Sequence, residues 1–142
     1  MAITFENIIY DRVVEALQGL LVNEFTIPVY IDEHKGNQSF LLTPESDNIN
    51  EYGNNFQSRS YGIEITYRLK LGGTYTKNSI KQVSNIAERV KRLIYNNASY
   101  SPSSTYKWHD GSIDSIEYNR DEDSPDLINA VMSFNCTSTE VT

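Results

Sequence analysis

Residues 61–71 read Tyr-Gly-Ile-Glu-Ile-Thr-Tyr-Arg-Leu-Lys-Leu, and they alternate without a break. Ile63, Ile65, Tyr67, Leu69 and Leu71 share one parity, while Glu64, Thr66, Arg68 and Lys70 share the other. That is the period of a β-strand with one face in a core. At about 3.3 Å per residue the stretch spans roughly 35 Å, long for a globular strand. A second alternating run lies at 127–138. There Ile128, Ala130, Met132, Phe134 and Cys136 are expected to face inward, with Asn129, Ser133, Asn135 and Thr137 outward.

Two helices flank the long strand. Residues 5–23 carry Ile9, Val13, Ala16, Leu17, Leu20 and Leu21 at spacings of three and four. Thr4 is the expected N-cap, and Ile3 with Ile8 has the spacing of a hydrophobic staple. Gly19 is small enough to admit a neighbouring backbone. The second helix is expected over 77–96, with Ile80, Val83, Ile86, Ala87, Val90, Leu93 and Ile94 as its buried stripe. Asn96 or Asn97 suits a left-handed ending. Lys77, Lys81, Arg89, Lys91 and Arg92 crowd its outer side, five of the 12 basic residues, with Glu88 spaced to pair with Arg92. A solvated face explains that charge most simply. Contact with an acidic neighbour or with passing DNA is the alternative.

Shorter elements complete the order. Residues 26–32 alternate around Pro28, which cannot donate to a ladder and therefore suits an edge strand. A turn at 34–37 and a strand at 38–42 would make a hairpin with it. Residues 43–60 lack any period and are read as one long loop. Tyr52, Phe56 and Arg59 would anchor that loop on a partner, because aromatics and arginine dominate interface energetics. Gly72-Gly73 ends the long strand. A short strand is expected at 105–108, a turn at Asp110-Gly111 and a strand at 112–119. A bulge in that strand would reconcile the opposite parities of Ile113 and Ile116. An acidic turn fills 120–126. The expected class is α+β: one domain over 1–142, a mostly antiparallel sheet, and two main helices packed against it.

Charge and composition narrow the chemistry. The chain has 142 residues and a net charge of −7, and is 39% hydrophobic. Asp121, Glu122, Asp123 and Asp126 concentrate the acidity in one hexapeptide. An acidic chain is poorly suited to wrapping nucleic acid, whose affinity comes from cations on phosphate. One cysteine, Cys136, permits no internal disulfide. No signal peptide and no apolar run near the ~20 residues of a membrane span is visible. Asn37, Asn97 and Asn135 open Asn-x-Ser/Thr triplets, read as coincidental without an export signal.

No catalytic signature occurs. His34 and His109 lie at no ligand spacing with Cys136, and the Asp121-Glu122-Asp123 spacing is not that of a calcium loop. Gly72-Gly73 lacks the third glycine and the lysine of a phosphate loop. The expectation is therefore no catalytic residue, no cofactor and no metal. An enzyme would have to assemble Asp32, Glu33, His34 or His109. A ligand-binding module would use Trp108 and the tyrosines; Trp108 with Tyr106 offers a stacking surface for bases, although packing in a core or interface is the commoner use of such rings.

Taken in order, the chain resembles the tail terminator (tail-completion, or minor tail) proteins of long-tailed bacteriophages. The residues that carry the likeness run nearly the full length. They are the amphipathic helix ending at Asn23, the strand Ile27-Pro28-Val29-Tyr30, a long loop, the strand from Tyr61 to Tyr67, the helix motif Ile80, Val83 and Ile86, and the closing strand from Ile128 to Cys136. The resemblance implies a non-enzymatic virion protein of the tail or neck, made in the host cytoplasm. Such proteins form a ring, usually a hexamer, that caps the tail tube and docks to the head-side connector, while DNA passes through unbound. It implies that residues 43–60 reach a subunit or the tube, that Asp121, Glu122, Asp123 and Asp126 line the channel, and that Lys81, Arg89 and Arg92 meet a neighbouring subunit. Another connector or a tube protein is the nearest rival. The acidic hairpin at 112–126 has no match in the family.

Overall fold

The computed structural model describes residues 2–70, 77–120 and 127–141. Its elements are a π-helical stretch, Ile8–Val14, running into helix α1 (Glu15–Glu24); strands β1 (Val29–Tyr30), β2 (Gln38–Tyr52) and β3 (Phe56–Lys70); helix α2 (Lys77–Asn96); and strands β4 (His109–Arg120) and β5 (Leu127–Val141). The strands form one mixed sheet in the order β1-β2-β3-β5-β4. β3 pairs antiparallel with both β2 and β5, and β4 pairs antiparallel with β5. β1 runs parallel to β2.

The register explains the core. Ile63 faces Phe134, Ile65 faces Met132, Tyr67 faces Ala130 and Leu69 faces Ile128. Every one of these side chains is buried. Phe40 and Leu42 of β2 continue the same rows. Val13, Val14, Leu17 and Leu21 from the first helical segment and Val83, Ala87, Val90 and Ile94 from α2 cover this face. Burying one such aliphatic side chain contributes about 1.5–3 kcal/mol, which is why the alternation is kept so strictly here. The inward set expected for β5 is buried in full, Cys136 included.

Ile113 pairs with Phe134 and Ile116 with Met132, so both lie on the core face despite opposite parity. A shift of register between Ile113 and Ser115 supplies the extra residue. The anticipated bulge is therefore present. Asp110-Gly111, expected as a turn, is a second register shift inside β4. Asp110 there takes φ 53°, and Gly111 closes under the Trp108 indole, where an added Cβ would lie 2.8 Å from Nε1.

Other expectations fail for local reasons. The first helical stretch begins at Ile8, capped by Asn7 Oδ1 (3.3 Å from Tyr10 N), not by Thr4. Residues before it stay out of the helix, and Glu6 reaches back to Arg12 at 2.7 Å. Arg12 is itself fixed on Ser138 Oγ (2.8 Å) and on the Thr139 carbonyl (3.0 Å). The Ile3 staple does not form, since Ile3 is 83% exposed. Gly19 approaches nothing within 4 Å.

Residues 26–42 are not a hairpin. The loop after β1 folds back through a His34–Ser39 hydrogen bond (2.7 Å) and a Lys35–Asp32 ion pair (3.2 Å), and β2 then lies parallel to β1. Pro28 does sit at the sheet edge, its carbonyl accepting from Phe40 N at 2.9 Å. α2 has the expected bounds, but Ile80 in its first turn is 45% exposed. Its end uses no left-handed residue. Asn97 Nδ2 instead donates to the Leu93 carbonyl at 2.8 Å. The stretch 105–108 supplies only an isolated bridge, Trp108 with Tyr100, beside a short 3-10 turn at Pro102–Ser104. Leu71 and Gly72-Gly73 lie outside the described residues.

Candidate interaction surface

The largest departure from the sequence reading is the stretch 43–60. It is not a loop. β2 and β3 run on through it as a hairpin, paired from Gln38–Leu69 to Tyr52–Gln57 with register shifts at Pro44/Ser46 and Ile49/Glu51. The turn closes with Gly53 N donating to the Phe56 carbonyl at 2.9 Å. β5 follows β3 outward as far as the pair Phe56–Val141. The result is a three-stranded ribbon. Its β2 strand is exposed from Thr43 to Tyr52. Strands wetted on both faces need no apolar alternation, so the sequence carries no period there.

The three anchor residues are placed differently from one another. Tyr52 is 76% exposed at the end of β2. Phe56 lays its ring against Gly53, leaving it only partly exposed. Arg59 points across the hairpin, with Nε donating to Asp47 Oδ1 at 2.6 Å and Nη1 to Gln57 Oε1 at 2.9 Å. Arg59 is thus a brace within the ribbon, and of the three Tyr52 is the most exposed. Ile49, which sequence reasoning passed over, is half exposed and pairs with Arg59, so Ile49 and Arg59 share a face with Asp47 and the buried Tyr61. At the ribbon's base the Tyr61 hydroxyl donates to Glu140. Burial first, then the neighbouring carboxylate, pushes that phenol upward. A shallow depression of about 270 Å³ opens here, with Phe5, 81% exposed, on its rim beside Asp47, Tyr61 and Glu140.

The basic residues of α2 are less uniform than their spacing suggested. Arg89 is held by Glu24 (3.0 Å) and lies over the Phe25 ring, 4.4 Å from its centroid. Glu88 pairs with Lys91 at 2.8 Å, not with Arg92. Arg92 stacks on Tyr95 at 5.6 Å instead. Lys81 and Arg92 are exposed and make no ion pair among the described residues. Asp121, Glu122, Asp123 and Asp126 lie outside the described residues.

The residues an enzyme would need are spread apart. Asp32, Glu33 and His34 lie in the loop beside β2, whereas His109 opens β4, with β3 and β5 between them. Burial, then Arg68, lowers the His34 pKa. His109 pairs with Thr137, on the face opposite to Cys136, and contacts its own neighbour Asp110 at 3.0 Å. Cys136 is buried, and burial pushes its thiol up to about 12. Trp108 is wholly buried, donating to the Asn97 carbonyl at 3.0 Å and meeting Phe134 edge-on at 5.3 Å. It is core, and Tyr106 does not form a base-stacking surface with it. Among the described residues no group of three His, Cys, Asp or Glu side chains is arranged to hold a metal, and no helix is long and apolar enough to cross a membrane.

No protein-family model matches the chain. No curated protein matches it either.

Proposed function

We propose that this chain is a structural virion protein of the tail-terminator kind. It assembles into a ring, most simply a hexamer, that ends a phage tail tube and joins it to the head-side connector. The observation that carries the reading is the ribbon of β2, β3 and the end of β5. It projects beyond the helix-covered core and exposes Tyr52 and Ile49, with Ile3 and Phe5 of the N-terminal segment also exposed. A domain that spends so many residues on a projecting, solvent-exposed hairpin has a surface suited to a neighbour. A ring repeats that contact in every subunit, so small contact energies add. Asp121, Glu122, Asp123 and Asp126 belong to the proposal through their charge alone, as a channel lining that DNA passes without sticking.

Negative-stain imaging of the purified chain, with and without phage tail tubes, tests the reading. Discrete rings with a central opening, or single caps on tube ends, are the expected result. Open-ended stacks would make the chain a tube protein, and isolated particles that ignore tubes would remove the ring.

A further inference from the structure

The helices cover one face of the sheet and leave the other bare except at its β1 end, where His34 bonds the buried Ser39 and the Nε of Arg68, a cation of that face, is buried as well. On that bare face the register brings together Glu64, Ser133 and Ser115 in one row, and Thr66, Val131 and Glu117 in the next. Glu45, carried outward at the bulge between Pro44 and Ser46, reaches Glu64. Asp114, displaced by the bulge in β4, joins them by accepting from Asn135 Nδ2. None of these four carboxylates has a cation at ion-pair distance among the described residues. Between them lies an open depression of about 320 Å³, with Glu45, Glu64, Glu117 and Val131 on its walls. In sequence Glu45 and Glu117 are 72 positions apart, and only the strand order unites them.

The outer side of α2 has the opposite sign. Lys81 and Arg92 make no ion pair there among the described residues, and Arg92 lines a second open depression of about 340 Å³ with Tyr95 and the Glu88–Lys91 pair, so the surface keeps a net positive charge. This surface and the acidic one lie on opposite sides of a two-layer fold. They cannot meet within one chain. Two acidic faces, or two basic ones, brought together by a two-fold axis would oppose like charges.

We propose that the acidic bare face of the sheet is the docking surface for the outer side of α2 of a second copy of this chain. The inference rests on the ring reading and specifies its interface. Such a contact is heterologous, head to tail, so every copy keeps one face of each kind and the chain of contacts closes only as a ring or runs on as a filament. Docking would place a helix layer on both faces of the sheet and give Glu45, Glu64 and Glu117 the cations that the monomer withholds. Because the pairs are charged and lie near the surface, added salt weakens the contact.

The test uses two variants of the full chain at exposed positions. One is Lys81→Glu with Arg92→Glu; the other is Glu45→Lys with Glu117→Lys. Both are checked for an unchanged thermal melt and then sedimented in low-salt buffer. The wild type is expected to associate, each variant alone to associate roughly tenfold or more weakly, and an equimolar mixture of the two to recover wild-type association. Recovery follows because the acidic face left on the first variant matches the basic helix left on the second. A wild type that stays monomeric in low salt, a variant that assembles like the wild type, or a mixture that does not recover overturns the interface. Rings indifferent to all four substitutions would leave the ring reading standing without this interface. Recovered assemblies that grow without limit would leave the interface and remove the ring.

Discussion

Arg59 Nε donates to Asp47 Oδ1 at 2.6 Å, from one strand of the projecting hairpin to the other. The Arg59 side chain is 25% exposed and that of Asp47 45%. A pair so open to solvent contributes little to stability, because water and salt screen it and two side chains must be held still. Arg59→Ala is therefore expected to leave the urea midpoint nearly unchanged. Tyr52→Ser should leave unfolding unchanged, since its ring is mostly in water, while weakening assembly. If Tyr52→Ser assembles like the wild type, Tyr52 is not an anchor.

Gly19 sits on the exposed side of α1 with no atom within 4 Å of an added Cβ. Glycine in a helix interior is less favourable than alanine by about 0.8–1 kcal/mol. Gly19→Ala should stabilise the chain by roughly that amount, read as a rise in the urea midpoint at constant slope. A loss of stability would mean that a close partner covers Gly19.

Trp108 combines full burial, the bond to the Asn97 carbonyl and the edge contact with Phe134. Trp108→Ala should cost about 3–5 kcal/mol in urea unfolding, the range for deleting a large buried ring. Trp108→Phe keeps much of the volume but leaves the Asn97 carbonyl without its donor, so it should fall between the two. An Ala variant within about 1 kcal/mol of the wild type would contradict a structural role for the indole.

The Cys136 thiol has its pKa raised from an ordinary value of 9.0 to about 12 by burial. The folded chain thus holds a proton that the unfolded chain releases first. The contribution is complete below pH 9 and is lost as pH rises toward about 12. Tyr61 and Tyr67, both raised chiefly by burial, act in the same direction. Unfolding free energy should therefore decline across that alkaline window. In the native state near neutral pH, iodoacetamide should leave Cys136 unmodified, and it should react readily in denaturant. Rapid native labelling would place the thiol at the surface.

A hairpin shortened by removing residues 48–60 and joining Asp47 to Tyr61 through an Asn-Gly turn keeps the Asp47–Tyr61 pair in register. It should fold and fail to form rings. Removing all of 43–60 is a worse test, because Tyr61 and Ile63, both buried, would then have to make the turn. Rings formed by the shortened chain would take the ribbon out of assembly.

What could be read from the sequence follows the position of water. β3 and the inner residues of β5 were legible because one face is in the core, so Ile63, Ile65 and Tyr67 had to alternate with Glu64, Thr66 and Arg68. α2 was legible to its ends for the same reason. The outer half of the β2–β3 hairpin was not, because Ser46, Asn48 and Asn50 stand in solvent on strands with no buried side. Its one local signal was Gly53-Asn54-Asn55, a turn between two polar runs. The parallel pairing of β1 was hidden too, since two residues, Val29 and Tyr30, carry no direction in their pattern. Glu45, Glu64 and Glu117 could not be grouped before the strand order was known, and the one sequence mark of the bulge that turns Glu45 outward is Pro44, a residue strands accept mainly at edges and bulges.

Absolute mass by light scattering across a range of concentrations, with and without tail-tube protein, tests the central claim most directly. The account predicts one discrete ring of constant mass, or a monomer that converts to that ring when tubes are present. A monomer indifferent to concentration and to tubes, or a mass that climbs without limit, would contradict it.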